Sequence, residues 1–248
     1  MDPPSQDSGH DIRPRPPTMR RDLASALREI NAQCLQLLVA MAHRPGDSSH
    51  DFIDEISGTL CRLSPGAQAA ASYFPFLLVD MRFRDHEWWR EVTAHPTTTR
   101  RSPTWLVQLP RQATIKLART TLVLAWHTAR TDRESAIVLL GISPSVADLL
   151  AQLSLCEFDR IAERHFRHLR PRWEDRPAVW AQLLNSAQNG DNDAARELIL
   201  RGLHLMAGEF LPQCESVRTR HRQYVRSNKL GARLAPTSQG ARVKLPFA

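Results

Sequence analysis

Apolar residues recur at helical spacing along most of the chain, in blocks separated by Gly, Pro and Ser. Between Arg21 and Arg44, Leu27, Ile30, Leu35, Leu38 and Met41 fall near one face, and Pro45-Gly46 ends the run, which predicts a helix. Phe52–Leu60 predicts a second. Ile115–Arg130 is apolar on more than one face through Leu117, Leu122, Val123, Leu124 and Trp126, so its helix is expected to be central or dimer-forming. Three helix starts follow. Thr131 stands three residues before Glu134, Ser143 precedes Pro144, and Ser154 stands three before Glu157. Two of these are capping boxes and one is a cap with proline at the first helical position. Gly141 supplies the left-handed residue that ends the first of the three helices. In the last of them Phe158, Ile161, Ala162, His165 and Phe166 form the buried stripe, while Arg160, Glu163, Arg164 and Arg167 face outward. Asp175–Gln188 and Ala194–Met206 predict two more helices around the turn residues Asn189-Gly190-Asp191-Asn192. The expected fold class is all-α.

The Leu63-Ser64-Pro65 sequence matches Ile142-Ser143-Pro144, and the likeness extends to both sides. Leu60, Ala67, Ala70, Ala71, Phe74 and Phe76 keep the spacing of Leu139, Val146, Leu149, Leu150, Leu153 and Leu155. Upstream, Leu38–His43 aligns with Leu122–His127 once extra residues are allowed at Pro45–Ser49. The pattern is that of an internal duplication. Any two amphipathic helices joined by a Ser-Pro turn would also align this well, so both readings stand. The expected organisation is a disordered leader at 1–20, a first helical unit at 21–94, a proline-rich linker at 95–110, a second helical unit at 111–173, C-terminal helices at 174–215 and a basic tail at 216–248. Inside the linker, Trp105–Leu109 reads as a short strand or an extended packing segment.

Composition narrows the function. No apolar run reaches the ~18 residues that span a bilayer, and Met1–Pro17 is polar and proline-rich, unlike a signal peptide, so a cytoplasmic protein is expected. Cys34, Cys61, Cys156 and Cys214 are too far apart for a zinc or redox motif and read as buried thiols. His165 and His168 stand one turn apart without a cysteine or carboxylate cluster and read as surface or boundary histidines. No glycine-rich phosphate loop, HExxH or nucleophile elbow is present, so the chain reads as no enzyme, with no catalytic residues, metal or cofactor. The formal net charge is +7, and from Ser216 onward eight Lys or Arg occur with no Asp or Glu, so the remainder is close to neutral. Such a balance favours anionic partners.

The pair of capped helices around Gly141 has the outline of a helix-turn-helix. Its second helix, Pro144–Leu153, offers only Ser145, Asp148 and Gln152 to base edges, and an aspartate is a poor neighbour for phosphate. The cations lie later. Arg164, Arg167, Arg170 and Arg172, with Arg218, Arg220, Arg222, Arg226 and Lys229 of the tail, are the candidate phosphate contacts. Arg218–Lys229 also fits a basic helix supported by Tyr224 and Val225. Leu117, Leu122, Leu124 and Trp126 are the candidate interface.

Leu117–Trp173 resembles FlhD, the helical subunit of the bacterial flagellar master regulator. The likeness rests on Leu122-Val123-Leu124-Ala125, Asp132, Ser135-Ala136, Leu140-Gly141-Ile142, Ala147, Leu150-Ala151, Leu153, Leu155, Ala162-Glu163 and Arg172, in order and without a gap. The N-terminal copy, with Ile30-Asn31 and Leu37-Leu38, resembles the start of the family more weakly. The resemblance implies a helical transcriptional activator that dimerises and works with a partner, FlhC, which supplies a zinc site and much of the DNA contact. It implies no zinc site here. This chain is about twice the family's length, has Leu169 where some members carry a cysteine, and adds the basic tail. These departures suggest either a homo-oligomer or an internal pseudo-dimer of two FlhD-like units. The expected function is a DNA-associated transcriptional regulator acting with an FlhC-like subunit. The alternative is an accessory protein that binds another regulator or a secretion component through its apolar helices without touching DNA.

Overall fold

Side chains at the helix starts set most of the element boundaries in the computed structural model, which describes residues 18–43, 51–94 and 111–207. The elements are α1 (Thr18–Ala42), α2 (Asp51–Cys61), α3 (Pro65–Ser72), β1 (Val79–Asp80), α4 (His86–Ala94), α5 (Arg111–Thr131), α6 (Arg133–Leu140), α7 (Pro144–Leu150), α8 (Leu155–His165), a 3-10 turn (Phe166–His168), β2 (Arg170–Pro171), α9 (Pro177–Asn189) and α10 (192–207). The chain is mostly helical, as expected. The leader, the loop at Pro45–Ser49, the linker with Trp105–Leu109, Cys214 and the tail lie outside the described residues. Described residues up to His204 belong to one compact unit, and 205–207 to a second.

Ser64 caps α3 by accepting from the Ala67 amide at 3.2 Å, and Ser143 caps α7 by accepting from Val146, each with proline following. Glu157 closes the start of α8, its carboxylate accepting from both the amide and the hydroxyl of Ser154 at 2.7 Å. One expected cap moves by a residue. α5 continues through Thr131, whose hydroxyl donates back to the His127 carbonyl, and Asp132 caps α6 by accepting from the amide and hydroxyl of Ser135. Gly141 ends α6 at φ 65° and Gly190 ends α9 at φ 66°, the left-handed backbone that glycine tolerates best.

The strands and α4 are additions to what the periodicity predicts. β1 and β2 pair antiparallel, Val79 opposite Pro171 and Asp80 opposite Arg170. Three residues after Val79 and after Arg170 stand Arg82 and Trp173, the positive-φ non-glycine residues of the described chain, at 53° and 56°. Seven residues on from the same positions, α4 begins at His86 and α9 at Pro177. Ten residues on stand the buried indoles of Trp89 and Trp180, which donate to the carbonyls of Arg82 and Arg172. Helix packing obeys the same relation. α1 packs on α2, α3 and α5, while α5 packs on α6 and α7; α3 lies on α9, and α7 on α4. The relation is partial, since α2 on α9 and α6 on α7 have no matching counterparts. It has a clear exception: α8 and the 3-10 turn separate α7 from β2, whereas only residues 73–78 separate α3 from β1.

Residues 73–78 cross the interior with Phe74, Phe76, Leu77 and Leu78 buried. A buried irregular backbone must find partners for its amides and carbonyls. Asn31 provides them from the apolar face of α1. It is fully buried, its Nδ2 donates towards the carbonyls of Ser72, Phe74 and Phe76 at 3.4, 3.3 and 3.0 Å, and its Oδ1 accepts from Leu78 at 2.9 Å. Asn31→Leu keeps the volume and strands those groups, so unfolding in urea is expected to show a loss of about 2–4 kcal/mol. An unchanged midpoint would remove Asn31 as a determinant of the fold.

Candidate nucleic-acid and partner interface

α8 is amphipathic, and its outward face carries the candidate cations. Phe158, Ile161 and Ala162 are buried against α5, while Arg160, Arg164 and Arg167 are exposed on α8 and the turn beyond it. Arg111, also exposed at the start of α5, and Arg167 each place a guanidinium 5.8 Å from the Phe166 ring centroid. Acidic neighbours on the same helix are engaged by Arg119, which reaches Asp159 at 2.6 Å and Glu163 at 3.4 Å. Arg111, Arg164 and Arg167 are therefore the exposed arginines that the fold gathers at this end of α5 and α8.

Arg170 and Arg172 are placed differently. Arg170 bridges Asp80 at 3.3 Å and Glu174 at 3.2 Å, tying β2 to β1 and to the next turn. Burial pushes the Glu174 carboxyl up, with Arg170 pulling against it. Arg172 is 4 % exposed and is not a surface cation: its guanidinium donates to the Leu140 carbonyl and lies against Gly141, where any Cβ would collide with it. The tail residues Arg218, Arg220, Arg222, Arg226 and Lys229 lie outside the described residues.

The outline of a helix-turn-helix resolves into two short helices. α7 is seven residues long, and Gln152 lies beyond its end. Asp148 is held by Arg133 through two bonds of 2.6 and 2.9 Å, and the bond from that guanidinium holds its carboxyl below the usual range. Leu117, Leu122 and Leu124 are buried, and Trp126 packs edge-on against Phe158 with ring centroids 6.2 Å apart. The apolar faces of α5 are thus covered by α1, α6, α7 and α8 of the same chain.

Two sequence expectations change. Cys61 and Cys156 are exposed, whereas Cys34 is buried and its thiol pushed up to about 12 by burial. His165 is buried, as its place in the apolar stripe of α8 predicts, and His168, expected at the surface or boundary, is buried with it, their rings 5.6 and 4.9 Å from the Trp88 ring and 6.0 Å from each other. His168 owes this to α4, a helix the periodicity does not predict. Among the described residues no group of three or more His, Cys, Asp or Glu is placed to hold a metal ion. Asn31 is a further functional position that periodicity passes over, although a polar residue one turn after Leu27 on an apolar stripe is a visible signal.

By class this is a mostly helical protein, and no helix among its described residues is long and apolar enough to cross a membrane. Residues 116–207 match the family model described as flagellar transcriptional activator (FlhD), and this part of the chain is FlhD-like. The match runs past Trp173 through α9 and α10. No curated protein and no solved structure matches the chain.

Burial holds His165 below its ordinary value, with Arg164 adding to it. Burial also takes His168 down to about 4, with Arg82, His165 and Arg170 adding and Asp85 opposing. A depressed histidine contributes stability above the unfolded value of 6.5 that is lost as pH falls towards 4, because the unfolded chain binds the proton more readily. Unfolding stability is expected to fall by about 3 kcal/mol across that window. His168→Gln should flatten the slope between pH 6.5 and 5 in urea titrations; equal slopes in the two proteins would remove His168 as the cause.

Proposed function

We propose that the chain is a DNA-associated transcriptional regulator that acts with a partner subunit, and that its N-terminal half takes the place of a second FlhD-like unit. The observation that carries the reading is the match of residues 116–207 to a family described as a transcriptional activator. The internal pairing is supported by the matched strands, positive-φ residues and tryptophans, and by the burial of Leu117, Leu122 and Leu124 within one chain. In this reading Arg164 and Arg167, with Arg111 beside them, meet phosphates, and the tail cations extend the contact. Arg170 and Arg172 are left out, because their guanidinium groups are used by the fold.

Phosphate contacts are read through salt. Each one lost lowers the slope of log affinity against log salt by about 0.9. Arg164→Gln with Arg167→Gln is therefore expected to lower the slope by about 2, and deletion of Ser216–Ala248 by more. If the full-length protein, alone and with an FlhC-like subunit, shows no salt-sensitive binding to any duplex, the DNA reading fails. In solution the chain should have the mass of one 28.1 kDa chain. A tight symmetric dimer through α5 would overturn the internal pairing.

A second reading, that of an accessory protein that never touches DNA, is favoured by one observation. The carboxylate of Asp148 on α7 already takes up Arg133, so the helix-turn-helix outline offers phosphate no cation there. Capture of another regulator with no duplex binding at any salt concentration would select it.

A further inference from the structure

An apolar depression lies between the N-terminal half of α1, the Tyr73–Pro75 segment and α6. It is a groove of about 480 Å³ whose walls include Leu23, Leu27, Tyr73, Pro75, Val138 and Leu139. Tyr73 is 62 % exposed and Val138 50 %, values that mark them as apolar surface without a cover among the described residues. Asp132 and Glu134 stand at the α6 side. Across from them the Arg28 guanidinium lies 3.8 Å from the Tyr73 ring centroid. An aromatic and apolar trough with carboxylates along one edge suits an extended proline-rich strand carrying arginines.

We propose that the occupant of this groove is the chain's own Ile12–Pro17 segment. Its sequence is Ile12-Arg13-Pro14-Arg15-Pro16-Pro17, immediately before Thr18, the first residue of α1. Folded back along α1 as a polyproline helix, the segment brings Pro14 level with the apolar floor beside Leu23 and Leu27, while Arg13 and Arg15, on other faces of the three-residue turn, approach Asp132 and Glu134 and Pro16-Pro17 make the return to Thr18. The reach agrees. Six residues in that conformation span about 19 Å, and the helix from Thr18 to Arg28 rises about 15 Å, so a segment folded back along α1 brings Ile12 level with Arg28.

Two other segments outside the described residues fit less well. Trp105–Leu109 leads into Arg111, at the far end of α5 from Asp132, about 30 Å away along the helix; from Arg111 even Trp105 reaches only about 20 Å. Residues 44–50 hold no large apolar side chain.

Two measurements on the full chain test the assignment. A labelled peptide of residues 11–18 is titrated into the full chain and into a full-length variant carrying Arg13→Glu, Pro14→Ala, Arg15→Glu and Pro17→Ala. A tethered segment acts at millimolar effective concentration, so the variant, its groove vacated, is expected to bind the peptide at least ten-fold more tightly than the unaltered chain. Adding Val138→Glu to the variant should abolish the binding. No binding to the variant, or equal binding to both chains, overturns the proposal. In a background of Cys61→Ser, Cys156→Ser and Cys214→Ser, Ile12→Cys and Val138→Cys should oxidise to a disulfide within one chain, seen by mass. A link between two chains would assign the groove to a second copy, and two free thiols would leave the segment elsewhere; either result overturns the proposal.

Discussion

The bonds from Asn31 allow an irregular stretch of backbone to run through the interior of a helical protein. Segments without regular structure usually stay at the surface because water satisfies their polar groups. Phe74, Phe76, Leu77 and Leu78 have no such access, and one side chain on α1 takes up the carbonyls of Ser72, Phe74 and Phe76 and the amide of Leu78. The joining of the two halves depends on it. Leu77 donates to the Leu139 carbonyl, Arg172 to Leu78, and Ser143 to Phe83, so the segment held by α1 becomes the template on which the α5–α9 half is bonded. The Arg172 side chain then crosses to the Leu140 carbonyl over Gly141, a position where only a residue without Cβ leaves room.

Those bonds join two halves that repeat each other's backbone more faithfully than their sequences. Around the strands, the left-handed positions are Arg82 and Trp173, chemically unlike, and the residues that begin α4 and α9 are His86 and Pro177. What recurs is the order of conformations and the indole that closes each turn onto a backbone carbonyl. Left-handed backbone at a non-glycine residue is uncommon, so its occurrence at matched places in both halves is stronger support for a common plan than the Ser-Pro caps, which many helix starts share.

Helices with a clear apolar face and a cap are legible from sequence: α1, α2, α5 and the three after it begin and end within a few residues of where spacing and caps place them. α4 carries the same signals, with Asp85 accepting from the Trp88 amide and Trp88, Trp89 and Val92 buried, but its nine residues are too few to show a clear period. The arginines divide for a different reason. Arg164, Arg167, Arg170 and Arg172 are indistinguishable as charges along the chain, yet β2 brings Arg170 to Asp80 and turns Arg172 inward beneath the loop after α6. Only tertiary pairing separates a cation that holds the fold from one available to a partner. The burial of His168 under Trp88 is hidden with α4 itself.

The difference between the two halves bears most on function. α8 occupies a place for which the first half has only residues 73–78, and it carries Arg160 and Arg164, with Arg167 in the turn beyond it. A pair of identical subunits would present such a face twice, related by the axis. In this chain the described residues present it once, and the corresponding place in the first half is taken by the buried segment that Asn31 satisfies. A partner or a duplex that recognises α8 therefore meets one site per chain and a fixed orientation.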